Sequence, residues 1–234
     1  MRTAGTASAQ APPQIRPLRG AHRSRHILHH PSAGEATPAL GKLTLGLYNC
    51  YDPKQWHDIM RITLARVGPV AMAFDCDVAT FGFPFEQARA RNAKESEPLR
   101  TPAAIAQFVA GSTSIGEGGD YFTELAGSGR FKAYPFPGPE GFPKALGRLV
   151  ATTPSPSNAR TDPLAVAEEL AAGRSQILLF GLGPRGLPPA VLGSAPHHLE
   201  LTGKGISMET STALGALPAM VAAHLQHLTA KVKA

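Results

Sequence analysis

Two glycine-bearing segments in the C-terminal third hold the residues best suited to binding a ligand. The first, ILLFGLGPRGLP, covers residues 177–188, and the second, HHLELTGKGISMETSTALGALPAM, covers residues 197–220. In each, an apolar run is followed by glycines, which let a backbone turn sharply or approach a ligand closely. Open α/β sheets bind ligands at the carboxyl ends of their strands. The segments therefore predict two adjacent loops that hold a flat ligand between them by backbone hydrogen bonds.

Common nucleotide and hydrolase motifs are not supported by these segments. The TGKG run at 202–205 has a lysine but not the GxxxxGK[ST] spacing of a P-loop. GxSxG and HExxH are absent from the sequence. GLGPRG taken alone is weak support for a nucleotide site, since glycine loops often serve only as turns, and NAD binding of the Rossmann type is not predicted.

Strand-like and helix-like patterns alternate around the two segments. Three strands are predicted, at residues 146–153, 175–181 and 197–203. Helices are predicted at 163–173 and at 208–228, the latter kinked or split by Pro218. Alternation through short loops predicts an α/β fold with a mainly parallel sheet and helices on both faces.

The preceding part of the chain has a similar but less regular pattern. A strand is predicted at 42–49, followed by a helix that Asp52 caps and Gly68 ends. Residues 70–83 are predicted as one or two strands, and polar and apolar helices follow at 86–94 and 101–111. Residues 111–146 are rich in Gly and Pro and are predicted as loop, apart from a short helix around DYFTEL.

Composition divides the chain at about residue 40. Residues 1–39 have five arginines and one acidic residue and no helical or strand period, which predicts a disordered basic tail. Residues 40–234 are predicted to form one domain, with residues 111–146 as an insertion. That domain carries only +2 of the net charge of +6, which neither requires RNA nor excludes it. Two cysteines without metal-type spacing, and no secretory or membrane-spanning run, predict a cytoplasmic protein.

Taken together, the two glycine-bearing segments resemble the SPOUT superfamily of RNA methyltransferases. FGLGPRGL (180–187) is similar to that superfamily's glycine loop, ISMETSTALGAL (206–217) to its second loop and helix start, and VATT (150–153) to its first knot strand. The resemblance implies a C-terminal trefoil knot, an exception to the rule against threaded chains, and a site for S-adenosylmethionine. The cofactor-binding residues that it implies are Thr152, Thr153, Phe180, Gly181, Leu182, Gly183, Gly186, Leu187, Leu201, Gly203, Ser207, Met208 and Ala213.

The N-terminal part resembles the ribose-methylating branch of the same superfamily, through LYNCYDPKQWHDIMRITLARVG at 47–68. Arg61 stands at the arginine of that branch, which implies a part in activating the ribose hydroxyl. Three residues depart from the pattern. Gln55 and Glu209 each stand where relatives have Asn, and Gly183 stands where many relatives have Glu. The whole chain is also similar to an uncharacterised archaeal SPOUT-like family.

The resemblance implies methylation of tRNA or rRNA from S-adenosylmethionine by a homodimer, with ribose 2′-O transfer favoured over base transfer. Methyl transfer needs alignment and sometimes a base, but no metal. The three departures favour a second hypothesis, a SPOUT-fold protein that has lost catalysis and binds RNA or a ribonucleoprotein. A third is a nuclease with Asp75 and Asp77 as metal ligands.

Three residues are predicted to act in catalysis: Arg61, Glu117 and Arg185. Arg61 could instead form a salt bridge on a helix surface. Arg185 could contact the acceptor or a phosphate, or simply be an exposed loop arginine. Glu117 could act as a base or contact the sulfonium, whereas its neighbour Asp120 is predicted only to cap a helix.

Overall fold

The computed structural model describes residues 39–89, 98–112 and 118–232. Across these ranges the chain forms one seven-stranded sheet in which every pairing is parallel. The strands are Leu43–Asn49 (β1), Asp77–Phe81 (β2), Phe131–Tyr134 (β3), Arg148–Thr152 (β4), Ala159–Thr161 (β5), Gln176–Leu182 (β6) and His197–Leu199 (β7). They lie in the order β3-β2-β1-β6-β4-β7-β5, which confirms the predicted parallel α/β fold.

Six α-helices of the described residues cover the sheet. They are Asp58–Ala73 (α1), Pro102–Ser112 (α2), Gly118–Gly127 (α3), Pro163–Ala171 (α4), Pro189–Ser194 (α5) and Thr210–Val232 (α6). The larger core packs one sheet face against α1, α2, α3, α4 and α6. A smaller core on the other face contains α5 and aromatic residues of the 134–142 segment. No described helix is long and apolar enough to cross a membrane.

The centre of the sheet is the pair β1 and β6. Both strands are apolar almost throughout, and both are buried at nearly every residue, as expected for strands covered on both faces. They pair over seven residues, from Leu43 opposite Gln176 to Asn49 opposite Leu182. β2 and β3 extend the sheet on one side of this pair, and β4, β7 and β5 extend it on the other. The direction of the connections therefore reverses at β1 and β6, the kind of position where open sheets bind ligands.

The boundaries predicted for α1 are wrong at both ends. The helix begins at Asp58 after His57, because Asp52 is used in a turn, where its carboxylate accepts the Lys54 N–H at 2.9 Å. It continues through Gly68 to Ala73, so residues 70–73 are helix and not strand. Gly68 does not end α1 but lets it approach α3, since a Cβ there would lie 2.9 Å from the Gly118 carbonyl oxygen.

Other differences concern short elements. β3 lies in the 111–146 segment predicted as loop, and β5 lies between 153 and 163, where no element is predicted. Strands of three or four residues leave too few positions for a hydrophobic period. The helix predicted at 86–94 is a 3₁₀ turn at Phe85–Gln87, and residues 90–97 lie outside the described ranges. Pro218 lies inside α6 without dividing it. The trefoil knot stays a prediction.

Candidate functional site

A cleft of about 560 Å³ opens across the carboxyl ends of β4, β6 and β7, and we call it the carboxyl-edge cleft. Tyr51 and Ile59, from the segment after β1, complete its wall. The volume lies within the usual range for small-molecule sites. Eleven of the thirteen residues predicted to bind a cofactor line this cleft: Thr152, Thr153, Phe180, Gly181, Leu182, Gly183, Gly186, Leu201, Ser207, Met208 and Ala213.

The other two predicted cofactor residues do not line the carboxyl-edge cleft. Leu187 is 6% exposed and belongs to the smaller core with Val191, because the chain turns inward at the start of α5. Gly203 has φ of 67° and turns the loop after β7, and it is not among the lining residues. Both residues therefore shape the loops.

The glycine loop after β6 is held by close backbone approaches. A Cβ on Gly181 would lie 2.5 Å from the Gly186 carbonyl carbon and from the Leu187 nitrogen. A Cβ on Gly183 would lie 2.7 Å from the Cβ of Cys50, whose own N–H donates to the Leu182 carbonyl at 2.9 Å. Gly186 adopts φ of 67°, a left-handed conformation that favours glycine. The sequence therefore folds this loop back onto the end of its own strand.

Two threonine hydroxyls fasten neighbouring elements to β6. Thr152 at the end of β4 donates to the Leu179 carbonyl, and Thr210 at the start of α6 donates to the Gly181 carbonyl, each at 2.9 Å. The carbonyl of Gly181 is thus already bonded. Strand β4 and helix α6 therefore have fixed positions relative to the glycine loop.

Glu200 follows β7 directly and lines the carboxyl-edge cleft. Its Oε1 accepts two hydrogen bonds from Thr202, from the N–H at 2.8 Å and from the hydroxyl at 2.6 Å. The Thr202 oxygen in turn accepts the backbone N–H groups of Lys204 and Ile206, at 3.1 and 3.3 Å. The bonds from the Thr202 side chain and backbone lower the pKa of Glu200, so this carboxylate is ionised at neutral pH.

Glu209 also lines the carboxyl-edge cleft, but its carboxylate is turned onto the amino end of α6. It accepts the N–H groups of Ser211 and Thr212 at 3.0 and 3.2 Å and the Ser211 hydroxyl at 2.6 Å. Burial alone would raise the pKa of Glu209, but these bonds and the charge of Arg66 outweigh it and lower the pKa. Glu209, which stands where relatives have Asn, therefore caps the amino end of α6.

Of the predicted catalytic residues, Arg61 and Arg185 lie in the described part of the chain, and only Arg185 lines the carboxyl-edge cleft. Arg185 lines the carboxyl-edge cleft and is exposed. Arg61 is on α1, with its side chain 11% exposed and its Nε 3.8 Å from Asp58 Oδ1, and it is not among the lining residues. Glu117 lies outside the described residues. Asp120 is the third residue of α3 and lies inside its first turn, so the prediction that it caps the helix is wrong, because the helix begins before it.

The acidic pair considered for a nuclease has a different environment. Asp75 and Asp77 lie 3.2 and 3.4 Å from the guanidinium of Arg130, at the amino end of β2. They are therefore at the sheet edge opposite the carboxyl-edge cleft. Among the described residues, no group of three or more His, Cys, Asp or Glu side chains is arranged to hold a metal ion.

Ten lining residues were missed by sequence reasoning, among them Glu200, Tyr51, Ile59 and Thr210. A signal for Glu200 was present. GLGPRG has the G-x-G-x-x-G spacing, it follows a strand and precedes a helix, and Glu200 is 19 residues after Gly181 at the end of the next strand. For Tyr51 and Ile59 no motif applies, because their position depends on how β1 pairs with β6.

Solved structures with this fold include a protein from Neisseria gonorrhoeae assigned to a methylase family. It is 15% identical, and the match covers 81% of this chain and 86% of that chain with a TM-score of 0.50. A further match is the tRNA modifying enzyme TrmH/SpoU from A. aeolicus, at 13% identity, 82% and 80% coverage and a TM-score of 0.46. The Neisseria gonorrhoeae structure shows the fold alone, and this fold agrees with the one that the resemblance to the SPOUT methyltransferases implies.

Sequence comparison gives the family. Residues 43–222 match the model of the family described as "Protein of unknown function (DUF531)". The uncharacterized protein MJ0224 from Methanocaldococcus jannaschii is 31% identical over 190 residues, which cover 81% of this chain and 98% of that protein. The chain therefore belongs to the DUF531 family.

Proposed function

We propose that this protein is an S-adenosylmethionine-dependent RNA methyltransferase, with the ribose 2′-hydroxyl of a tRNA or rRNA as the favoured acceptor. The observation that carries the proposal is the convergence of both glycine-bearing loops on the carboxyl-edge cleft, at the point where the sheet connections reverse. The fold, which is that of a methylase family structure, agrees with it. The cofactor and the acceptor are inferred from the resemblance.

The chemistry of the cleft fits S-adenosylmethionine. Leu201, Ile206 and Met208 offer an apolar surface for the flat adenine ring, and the hydroxyls of Thr153 and Ser207 offer hydrogen bonds. The ionisable lining residues other than tyrosine are Glu200, Glu209 and Arg185, whose charges sum to −1. A net negative lining suits the positive sulfonium.

The residues of this chain have positioning roles in the proposal. The backbone around Gly183 and Gly186 approaches the cofactor closely, and the loop from Gly203 to Met208 closes the opposite wall. S-adenosylmethionine supplies an electrophilic methyl group, and the protein must align it with the acceptor oxygen. Arg185, exposed at the cleft, would bind the acceptor, and Arg61 would act on the ribose hydroxyl only if the acceptor approached α1.

The proposed partners are RNA and a second copy of the chain. Lys54, Arg185 and Lys204 are exposed on the loops after β1, β6 and β7, all at the edge that holds the cleft. These side chains could neutralise phosphates around an acceptor nucleotide. Helix α6, which is rich in small residues and has Met220 39% exposed, is the proposed dimer contact.

The test begins with calorimetric titration of the full chain with S-adenosylmethionine. We expect micromolar binding, and we expect Ser207→Trp to abolish it, because Ser207 is exposed in the cleft wall and a tryptophan there would fill the cleft. Ser128→Trp is the matched control, since Ser128 is exposed at the opposite edge of the sheet, before β3.

Transfer is then measured with S-adenosylmethionine carrying a labelled methyl group and pools of tRNA and rRNA. Resistance of the labelled linkage to alkali would identify ribose 2′-O-methylation, and label in an alkali-sensitive nucleotide would identify base methylation. Binding without transfer to any RNA would favour the non-catalytic RNA-binding alternative, and a folded protein that binds no S-adenosylmethionine would refute the proposal.

A further inference from the structure

Glu200 and the glycine loop line the same cleft. Strand β6 runs into GLGPRG at 181–186, helix α5 follows, and β7 ends immediately before Glu200. In dinucleotide-binding βαβ units, a G-x-G-x-x-G loop is followed about 20 residues later by an acidic residue that bonds ribose hydroxyls. Here both parts of that pattern line one cleft.

Glu200 differs from an ordinary exposed glutamate because its loop is built around it. Thr202 bonds one carboxylate oxygen twice, and the same hydroxyl oxygen accepts two further backbone N–H groups of the loop. Gly203 and Gly205 both have positive φ, of 67° and 69°, which the tight turn requires. The loop therefore holds the carboxylate at the wall of the cleft before any ligand binds.

Its distance from the glycine loop suits a nucleoside. Strand β4 lies between β6 and β7, so the two loops start two strand spacings apart, about 9.6 Å. This separation is on the scale of a nucleoside rather than of a small ion. The other carboxylate of the cleft, Glu209, already accepts the N–H groups that begin α6.

We propose that Glu200 determines specificity for ribose, with its carboxylate accepting hydrogen bonds from the 2′- and 3′-hydroxyls of the bound adenosyl group. This inference rests on the proposed function. A carboxylate is an acceptor only, with about four acceptor sites on its two oxygens. The bonds from Thr202 both reach Oε1, so acceptor sites remain for a vicinal diol. Because the acceptor is charged, each bond is stronger than one between neutral groups.

The test uses calorimetric Kd values of the full chain for S-adenosylhomocysteine and for its 2′-deoxy and 3′-deoxy counterparts. We expect the wild-type protein to bind each deoxy ligand about tenfold or more weakly. In Glu200→Ala the three ligands should bind within about threefold of one another, because the partner of the hydroxyls is gone. The discrimination of Glu200→Gln against the deoxy ligands should lie between those of the wild-type protein and Glu200→Ala. The glutamine amide oxygen still accepts bonds from Thr202 and from the ligand.

Glu209→Gln is the matched control, as it removes the same charge from the same cleft, and it should keep the tenfold discrimination. Should Glu200→Ala fail to fold, Glu200→Gln decides, with a discrimination reduced by at least about threefold expected. The inference is overturned if the substitutions at Glu200 weaken all three ligands equally or leave the discrimination intact. If the wild-type protein binds none of the three, the proposed function fails and the inference with it.

Discussion

Gly181 shows how a single residue type fixes the shape of the candidate site. A Cβ at this position would lie 2.5 Å from two backbone atoms of the loop, the Gly186 carbonyl carbon and the Leu187 nitrogen. Replacement by alanine must move that backbone, because neither atom belongs to a flexible side chain. The shape of the cleft wall therefore depends on the absence of a side chain at this position.

We predict that Gly181→Ala lowers the free energy of unfolding by about 1–3 kcal/mol, the usual cost of overpacking. It should also weaken S-adenosylmethionine binding, because the loop that lines the cleft is displaced. Urea unfolding and calorimetry measure the two effects. Gly193→Ala is the control, since a Cβ at Gly193 in α5 meets nothing within 4 Å; equal behaviour of the two variants would contradict the account.

Glu209 gives a second prediction at the residue scale. Its pKa is lower in the folded protein than its usual value of about 4.3. The stabilisation is therefore fully present above that value and is lost as the pH falls through the lower folded pKa. Glu209→Ala should cost about 1 kcal/mol at pH 7, the typical value of an N-cap.

The melting temperature of wild-type protein and Glu209→Ala, followed from pH 7 to pH 3, checks this. The difference between the two should shrink as the pH falls, because wild type then loses the ionised cap that the variant already lacks. A difference that stays constant over this range would exclude the ionised cap as its cause.

At the scale of elements, Arg130 joins the end of α1 to the start of β2. Its guanidinium donates to the Ala71 carbonyl at 3.1 Å and to the Cys76 carbonyl at 2.8 Å, and it lies beside Asp75 and Asp77. The side chains of Arg130 and Asp77 are 21% and 29% exposed, whereas that of Asp75 is 80% exposed. Arg130 thus replaces water for two carbonyls and mainly for the carboxylate of Asp77.

We predict that Arg130→Met lowers the free energy of unfolding by about 2–4 kcal/mol, because these acceptors lose their shared donor. Arg174→Met is the comparison. Arg174 also pairs with a carboxylate, Glu169 at 2.6 Å, but its side chain is 60% exposed, and exposed ion pairs contribute little to stability because water screens them. Urea denaturation of both variants measures the contrast, and equal losses would contradict the assignment of Arg130.

Long and buried elements were the ones that sequence could predict. β1, β4, β6 and α4 follow the expected apolar runs, and Asp162 caps α4 as its type suggests, accepting the Ala165 N–H at 2.8 Å. β3 and β5 were missed because short edge strands depend on a neighbour for their hydrogen bonds. The end of α1 was missed because Gly68 serves packing against α3 and not termination.

The candidate site was predictable where it follows a motif. The loops after β6 and β7 could be identified from their glycines, and eleven residues of those loops and of β4 and α6 line one cleft. Tyr51 and Ile59 could not be identified, since they join the cleft only through the pairing of β1 with β6. A local pattern carries no information about such a distant contact.

At the scale of the whole molecule, exposed basic side chains lie at both the carboxyl ends and the amino ends of the strands. Lys54, Arg185 and Lys204 are exposed at the edge that holds the cleft, whereas Lys42 is exposed at the opposite edge, before β1. If RNA binds at the cleft, only the first group contacts phosphates. The salt dependence of binding reports the number of such contacts.

We predict that Arg185→Ala and Lys204→Ala each reduce the slope of log K against log salt by about 1, because each removes one phosphate contact. Lys42→Ala should leave the slope unchanged. Fluorescence anisotropy with a labelled tRNA transcript between 50 and 300 mM salt measures it. The same change in all three variants would mean that binding does not use the cleft edge.

The position of β6 has a consequence for how the chain is made. Leu43 pairs with Gln176, so the sheet centre joins residues 133 positions apart. At about 5–20 residues per second, a ribosome needs about 7–27 seconds to synthesise the intervening stretch. During that time β1 lacks its β6 neighbour, and β4 lacks it from the synthesis of Thr152 onward, so each presents an unpaired edge that is a hazard for aggregation. Completion of this protein in the cell therefore waits for one late strand, and a nascent chain that is stalled before it would be a natural client for chaperones.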